Sequence, residues 1–396
     1  MARIIHTGDL HLGFPIYKEE VNYDYFKPFS SLVDYAIENK VDLVIIAGDL
    51  FDKRDPLTNI QRGFARELHR LVKNNIPVFI ITGNHEGAPN PERNIHLDVY
   101  SELEIEGVTI AKRIANYKIA NLNIIALPYP FKRNLMYKDE YREKSEDEIA
   151  AAMNEVMIEK FKKIYDSLDK TIPTIIVAHV PVYEGHVGSE LYGNFGVDLP
   201  ISIEEIDESD VSYVALGHFH ERQVMNSKKY LHPFVYCGSL DRITFGEESS
   251  EKGFYDVTID ERTHKANFIF VKNQDARKFY TINVSNDADL GIVDLKRVKT
   301  SITRIVLNAD IGDEESLRKL IADVISSAYV FAGFEDRRVV STKLHRGTFT
   351  MTISPKEAIA KYLALRDDEY AKNHKDEIIG TAERIINEVE NGDKEI

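Results

Sequence analysis

Short apolar runs of strand length recur along the first 220 residues, and each ends in a residue able to bind a metal. Leu43-Val44-Ile45-Ile46-Ala47 breaks at Gly48, and the first polar group beyond the break is the carboxylate of Asp49. Ile4-Ile5 leads into His6-Thr7-Gly8-Asp9-Leu10-His11, and Val78-Phe79-Ile80-Ile81 into Thr82-Gly83-Asn84-His85. Ile175-Ile176-Val177-Ala178 ends in His179, and Tyr213-Val214-Ala215-Leu216-Gly217 in His218-Phe219-His220. A continuous apolar run closed by glycine predicts a buried strand with a polar side chain at its C-terminal end, where open α/β sheets place their ligands.

Between these runs the apolar period changes from two to that of a helix. Phe26, Phe29, Leu32, Val33, Ala36 and Ile37 predict a helix over Tyr25–Asn39, with Pro28 in its first turn. A second helix is expected over Leu57–Asn74 and a third over Ser145–Leu168, the third opened by a capping box at Ser145-Glu146-Asp147-Glu148. Strand, helix, strand, helix, strand is the doubly wound α/β signature with right-handed crossovers. Further strands are expected near Val108–Ala111 and Ile124–Leu127, and beyond His220 at Phe234–Cys237, Gly253–Ile259 and Ala266–Val271.

Residues 1–275 are therefore expected to form one domain. A small α+β domain should occupy 276–350, with strands Phe279–Val284, Arg304–Asn308 and Arg338–Lys343 around a helix Glu314–Ala328. Two charged amphipathic helices should fill 351–396. At 43% hydrophobic and 29% charged residues the chain has the composition of a globular protein, and no apolar run reaches the length of a membrane helix. The single cysteine, Cys237, has no disulfide partner, which suits a cytoplasmic setting. A net charge of -15 argues against a broad basic face for nucleic acid but leaves a nuclease open, because metal ions can supply positive charge at the reacting phosphate.

Carboxylate, imidazole and amide groups, with no thiolate among them, favour Mn²⁺, Fe²⁺ or a catalytic Zn²⁺ over a structural zinc. Two such ions about 3.5–4 Å apart can activate a water and stabilise the oxygens of an in-line displacement at phosphorus.

The order Asp9-x-His11, Gly48-Asp49, Gly83-Asn84-His85, His179 and Gly217-His218-x-His220 resembles the calcineurin-like metallophosphoesterases. That resemblance implies a sandwich of two mixed sheets flanked by helices. It also implies that Asp9, His11 and His220 hold one metal, that Asn84, His179 and His218 hold another, and that Asp49 bridges them. His85 would protonate the leaving alkoxide. The family usually has Asp after this histidine as its orienting partner; here the residue is Glu86.

Three features look like the SbcD/Mre-eleven-type DNA double-strand-break repair nucleases. They are His11-Leu12-Gly13, the loop from Cys237-Gly238-Ser239-Leu240-Asp241-Arg242 to Phe245-Gly246-Glu247, and the α+β unit with a helical tail, which is similar to that group's DNA-capping domain and ATPase-binding helices. The resemblance implies a manganese-dependent 3′–5′ double-strand exonuclease and single-strand or hairpin endonuclease, nucleoid-associated in the cytoplasm. DNA, an SbcC/Rad-fifty-type ABC ATPase and a second copy of the chain would be its partners, with no membrane. Ser239 and Arg242 become candidates for substrate contact, Arg242 being equally open to a structural salt bridge. The competing function is a phosphoesterase of small substrates, a cyclic-nucleotide phosphodiesterase or phosphatase, which would need neither the second domain nor the tail.

Overall fold

The computed structural model describes residues 1–15, 26–87, 95–131, 141, 144–185, 200–225, 229–338, 374, 377–382 and 384. In chain order the first elements are β1 (Ala2–Thr7), α1 (Lys27–Glu38), β2 (Leu43–Ala47), α2 (Thr58–Lys73), β3 (Val78–Ile81), α3 (Asp98–Glu102) and β4 (Val108–Ala111). Next come β5 (Ala115–Ile119), β6 (Leu122–Leu127), α4 (Glu146–Asp166), β7 (Thr174–His179), β8 (Val211–Gly217), β9 (Gln223–Met225) and β10 (Phe234–Tyr236). The remainder are β11 (Gly253–Ile259), β12 (Ala266–Lys272), β13 (Phe279–Val284), α5 (Leu295–Val298), β14 (Ile302–Leu307), α6 (Glu314–Ser327) and β15 (Val330–Asp336).

Two six-stranded mixed sheets face each other, in the orders β12-β11-β1-β2-β3-β4 and β5-β6-β7-β8-β10-β9. The first is parallel from β1 to β4 and antiparallel at β11 and β12; the second is parallel from β6 through β8 to β10 and antiparallel at both edges. Period-two alternation explains why their central strands are apolar on every residue. Leu43, Ile45 and Ala47 of β2 enter the seam between the sheets, where they meet Ile175 and Val177 of β7 and Tyr213 and Ala215 of β8. Val44 and Ile46 face the other way, onto Phe29, Leu32 and Val33 of α1 and Phe64, Leu68 and Leu71 of α2. Ile176 and Ala178 of β7 likewise turn outward onto Met157 and Phe161 of α4.

This corrects the doubly wound expectation. Helices α1 and α2 pack in one core on the same face of the first sheet, because its second face is covered by the second sheet. Ser145 caps α4 as expected: its hydroxyl accepts from the Glu148 N–H, and the Glu148 carboxylate accepts from the Ser145 N–H at 2.8 Å.

Strands β13, β14 and β15 form a third, parallel sheet. Its core is built from Ile282, Val284, Ile305, Leu307, Leu320 and Val324, the last two on α6. Its third strand is Val330–Asp336, which the sequence pattern does not mark; of the expected strand Arg338–Lys343, residues 339–343 lie outside the described residues. The chain divides into two compact units, Met1–Arg337 and Arg338–Ile396. In the second, 377–382 are helical, and most of the expected C-terminal helices lie outside the described residues. Among the described residues no helix is long and apolar enough to cross a membrane.

His6 is wholly buried in the seam, sharing a 2.9 Å hydrogen bond between Nδ1 and the Tyr213 hydroxyl. Burial pushes its imidazole from 6.5 down to about 3. Between those values the unfolded chain binds more protons than the folded one, so stability falls as pH falls, by at most about 1.4 kcal/mol per pH unit from this group. Urea unfolding between pH 7 and 4 should show that acid sensitivity reduced in His6→Gln; an unchanged pH slope would show that other groups carry it.

Candidate metal centre

The C-terminal ends of β1, β2 and β3 in one sheet and of β7 and β8 in the other converge at one edge of the seam. Asp9 and His11 follow β1, Asp49 follows β2, and Asn84 and His85 follow β3. His179 is the last residue of β7, while His218 and His220 follow β8. The backbone is bent sharply here: Asp9, His11, Asp49 and His218 have φ of 48°, 40°, 47° and 102°, in the left-handed region that non-glycine residues avoid. Two ladder bonds brace the bend, Asp9 N–H to Gly48 O and His11 N–H to Asp49 O, each 3.1 Å. Gly48, at φ 89°, permits the approach of β7, since a Cβ there would lie 2.1 Å from His179 Nδ1.

Asp49 sits at the centre. Its Oδ2 lies 3.7 Å from His11 Nε2 and 3.4 Å from His179 Nε2, and its Oδ1 accepts from the His85 backbone N–H at 2.9 Å. On one side His11 Nε2 faces His220 Nε2 at 3.1 Å, and Asp9 accepts the His218 N–H on both oxygens, at 3.1 and 3.0 Å. On the other side Asn84 Oδ1 lies 3.0 Å from His179 Nε2 and 3.1 Å from His218 Nδ1. Asp9, His11 and His220 can each offer an atom to one ion, and so can Asp9, Asp49 and His179. All seven residues named from the sequence therefore meet in one cluster, with Asp49 between its halves.

The imidazoles are oriented by their second nitrogens. His179 Nδ1 donates to Ala47 O at 2.7 Å and His220 Nδ1 to the Glu247 carboxylate at 3.1 Å, which leaves Nε2 of each as the lone-pair donor. His85 Nδ1 donates to Asp52 O at 2.7 Å, and its ring stands edge-on to His11 with centroids 4.6 Å apart. The orienting partner of His85 is thus a main-chain carbonyl, and Glu86 has a different task. Its buried carboxylate accepts from the N–H groups of Gly83 at 2.7 Å, Leu50 at 2.8 Å, Asp49 at 3.2 Å and Phe51 at 3.3 Å. It ties the loop after β2 to the loop after β3, a span for which its extra methylene is suited.

The electrostatics suit a cation. Burial pushes the Asp9 carboxyl up to about 6, against the pull of His179 and His220. Burial also opposes charge on Asp49, yet His179, His11 and His85 hold its carboxyl well below the usual range. His11 is held well below its ordinary value by burial and by His220 beside it. His179 loses by burial but gains more from Asp49, and rises to about 10. Burial and the charge of Asp49 keep Glu86 above the ordinary carboxylate range, against its N–H donors. Buried ring nitrogens facing each other, beside two buried carboxylates, fit divalent ions that displace the shared protons.

Two site expectations are corrected. Arg242 spends its guanidinium on three carbonyls, of Glu247 at 3.1 Å, Arg277 at 2.6 Å and Ser250 at 2.7 Å, so it clamps its own loop. Ser239 is buried; its hydroxyl donates to Asp241 O at 2.9 Å and accepts from Lys252 Nζ at 2.7 Å, which removes it from substrate contact. Beyond the sandwich, Arg297 on α5 pairs with Glu248 at 2.8 Å, and Arg304 on β14 lies over the Phe245 ring at 4.3 Å. The structure adds Asp52, Glu247 and Lys252, whose roles depend on contacts distant in sequence.

Fold and donor set together define a metal-dependent phosphoester hydrolase. The calcineurin-like phosphoesterase family model matches residues 2–222, and the chain belongs to that family. It is 41% identical over 106 residues to the DNA double-strand break repair protein Mre11 of Methanosarcina mazei, a match covering 26% of this chain and 17% of that protein. The identity is also 41% over 102 residues to the protein of the same name from Methanosarcina acetivorans, covering 26% and 16%. Against the uncharacterized metallophosphoesterase YhaO of Bacillus subtilis it is 25% over 272 residues, covering 64% and 57%. The chain thus spans less than two thirds of the length of each of these relatives. Among solved structures, a dimetal phosphatase from Danio rerio aligns with 68% of this chain and 98% of its own, at 12% identity and a TM-score of 0.39.

Replacing Glu86 by Gln should destabilise the chain by roughly 2–4 kcal/mol, because an amide cannot accept from four buried N–H donors. A denaturation midpoint equal to wild type would refute this role.

Proposed function

We propose that the chain is a two-metal DNA nuclease, working with Mn²⁺ as a 3′–5′ exonuclease on duplex ends and an endonuclease on single strands and hairpins. In this reading it is the nuclease subunit of an SbcCD-type break-repair complex, dimeric and partnered by an SbcC/Rad-fifty-type ABC ATPase. The observation that carries the chemistry is Asp49 Oδ2 placed between His11 and His179, one from each half of the cluster. The two Methanosarcina relatives named for DNA double-strand break repair support the choice of DNA as substrate. A donor set of carboxylate, amide and imidazole without thiolate suits Mn²⁺.

Bound at the two halves, the ions would supply a water activated for attack and positive charge at the phosphate oxygens. The protein's own residues do the rest. Asp49 keeps the halves together, and Glu86 and the ladder bonds between β1 and β2 stop the loops from spreading. Asp52 O holds the His85 proton on Nδ1, so that a proton taken up on Nε2 is the one available to the leaving oxygen of the broken phosphodiester. Delivery of that proton yields a free hydroxyl on one fragment and a phosphate on the other.

Purified full-length chain should cleave a 3′-labelled duplex and a hairpin with Mn²⁺, lose this in EDTA, and fall to background as Asp49→Ala. Cleavage of bis-p-nitrophenyl phosphate alone, with both DNA substrates intact, would overturn the nuclease reading in favour of a small-substrate phosphoesterase. His85→Gln should keep its metal content while the rate drops about 10²–10⁴-fold, the usual worth of positioned proton transfer. Wild-type turnover in that variant would remove His85 from the chemistry.

A further inference from the structure

His220 is held at both ends by a buried ion pair that family membership does not assign. The turn Phe245–Glu247 places Glu247 beside the ring, and Lys252, just before β11, approaches from behind. Glu247 Oε1 accepts from His220 Nδ1 at 3.1 Å, and Oε2 pairs with Lys252 Nζ at 2.8 Å. The side chains of Glu247 and Lys252 are 3% and 0% exposed. Lys252 Nζ also donates to His220 O at 2.9 Å and to Ser239 Oγ at 2.7 Å, while the Ser239 N–H reaches the same His220 carbonyl at 3.1 Å. Ring and backbone of one residue are thus fixed by a single pair of charges.

Burying two charges is costly, and a buried pair is often no more stabilising than apolar residues of similar volume. Stability alone therefore gives a weak reason for this pair. Geometry gives a better one. A carboxylate on Nδ1 selects the tautomer whose Nε2 lone pair faces His11, and raises the basicity of that nitrogen. Lysine at the far oxygen keeps the carboxylate turned toward the ring and prevents it from competing for the metal itself.

We propose that Glu247 and Lys252 are positioning residues for the metal held by Asp9, His11 and His220, setting the tautomer and direction of His220. This inference rests on the two-metal reading above.

The test is a Mn²⁺ titration of EDTA-stripped full-length chain, followed by calorimetry and electron paramagnetic resonance. Wild type should bind in two steps. Glu247→Gln should weaken one step by about 10–100-fold, the range found for such partners of ligating histidines, and leave the other within about twofold. Glu247→Asp should recover part of the loss. The double variant Glu247→Gln, Lys252→Met removes both charges together and guards against misfolding from an unpaired lysine; with wild-type melting temperature it should show the same selective loss. Two unchanged steps in the variants would overturn the inference and leave the dimetal reading intact. Equal weakening of both steps with a lowered melting temperature would also overturn it, since that marks a structural brace. Absence of binding by wild type would instead overturn the two-metal reading.

Discussion

Everything at the edge of the sandwich depends on where the Asp49 carboxylate is held. Its Oδ2 faces one imidazole from each half of the cluster, and its Oδ1 anchors the backbone of His85. Its own N–H is bound by Glu86, and its carbonyl receives the N–H of His11. One residue thus joins the loops after β1, β2 and β3, and presents the result to His179 across the seam. A carboxylate so deeply buried stays ionised only because imidazoles surround it, and those imidazoles are held near one another by the same charge. Neither half of the site has its geometry without the other.

The two sheets supply the rigidity this requires. Four site residues have backbone angles that cost energy, and they persist because the strands below are buried on both faces and cannot shift to relieve them. Around the candidate metal ligands stands a second group of side chains that bind no ion in this reading. Glu86 locks two loops together, the Asp52 carbonyl orients His85, and Glu247 orients His220. Arg242 and Ser239 belong with this group, holding the loop that carries Glu247.

Much of this was legible in the sequence because the strand ends are local signals. An apolar run, a glycine and a ligand-type residue sit within ten positions, and their recurrence points to the cluster without reference to any contact. The arrangement of layers was less legible from periodicity alone. A strand buried on both faces reads the same whether its second cover is a helix or another sheet, so the doubly wound expectation and the sandwich resemblance shared one pattern. Strand β15 is not legible in the sequence, because Gly333 and the half-buried alternation of Val330–Asp336 give a weak signal beside the charged segment that follows. Arg242 and Ser239 looked like substrate contacts because loop cations and hydroxyls often are. Folding commits their polar atoms to carbonyls and to Lys252. Adjacency leaves Glu86 open as a partner of His85, whereas its longer side chain takes the carboxyl group to four main-chain donors.

The order of the candidate ligands along the chain has a consequence for the protein's birth. The first half of the cluster draws on residues 9, 11 and 220, and the second on 84, 179 and 218, so each is completed only after β8 has been made. A nascent chain that has emerged as far as β7 already carries both carboxylates, but each half still lacks an imidazole. In the two-metal reading, tight capture of a metal is therefore a late event, after His11 and His220, 209 positions apart, have been brought together. A loaded centre would then mark the meeting of the two sheets, not the folding of any one strand–helix unit.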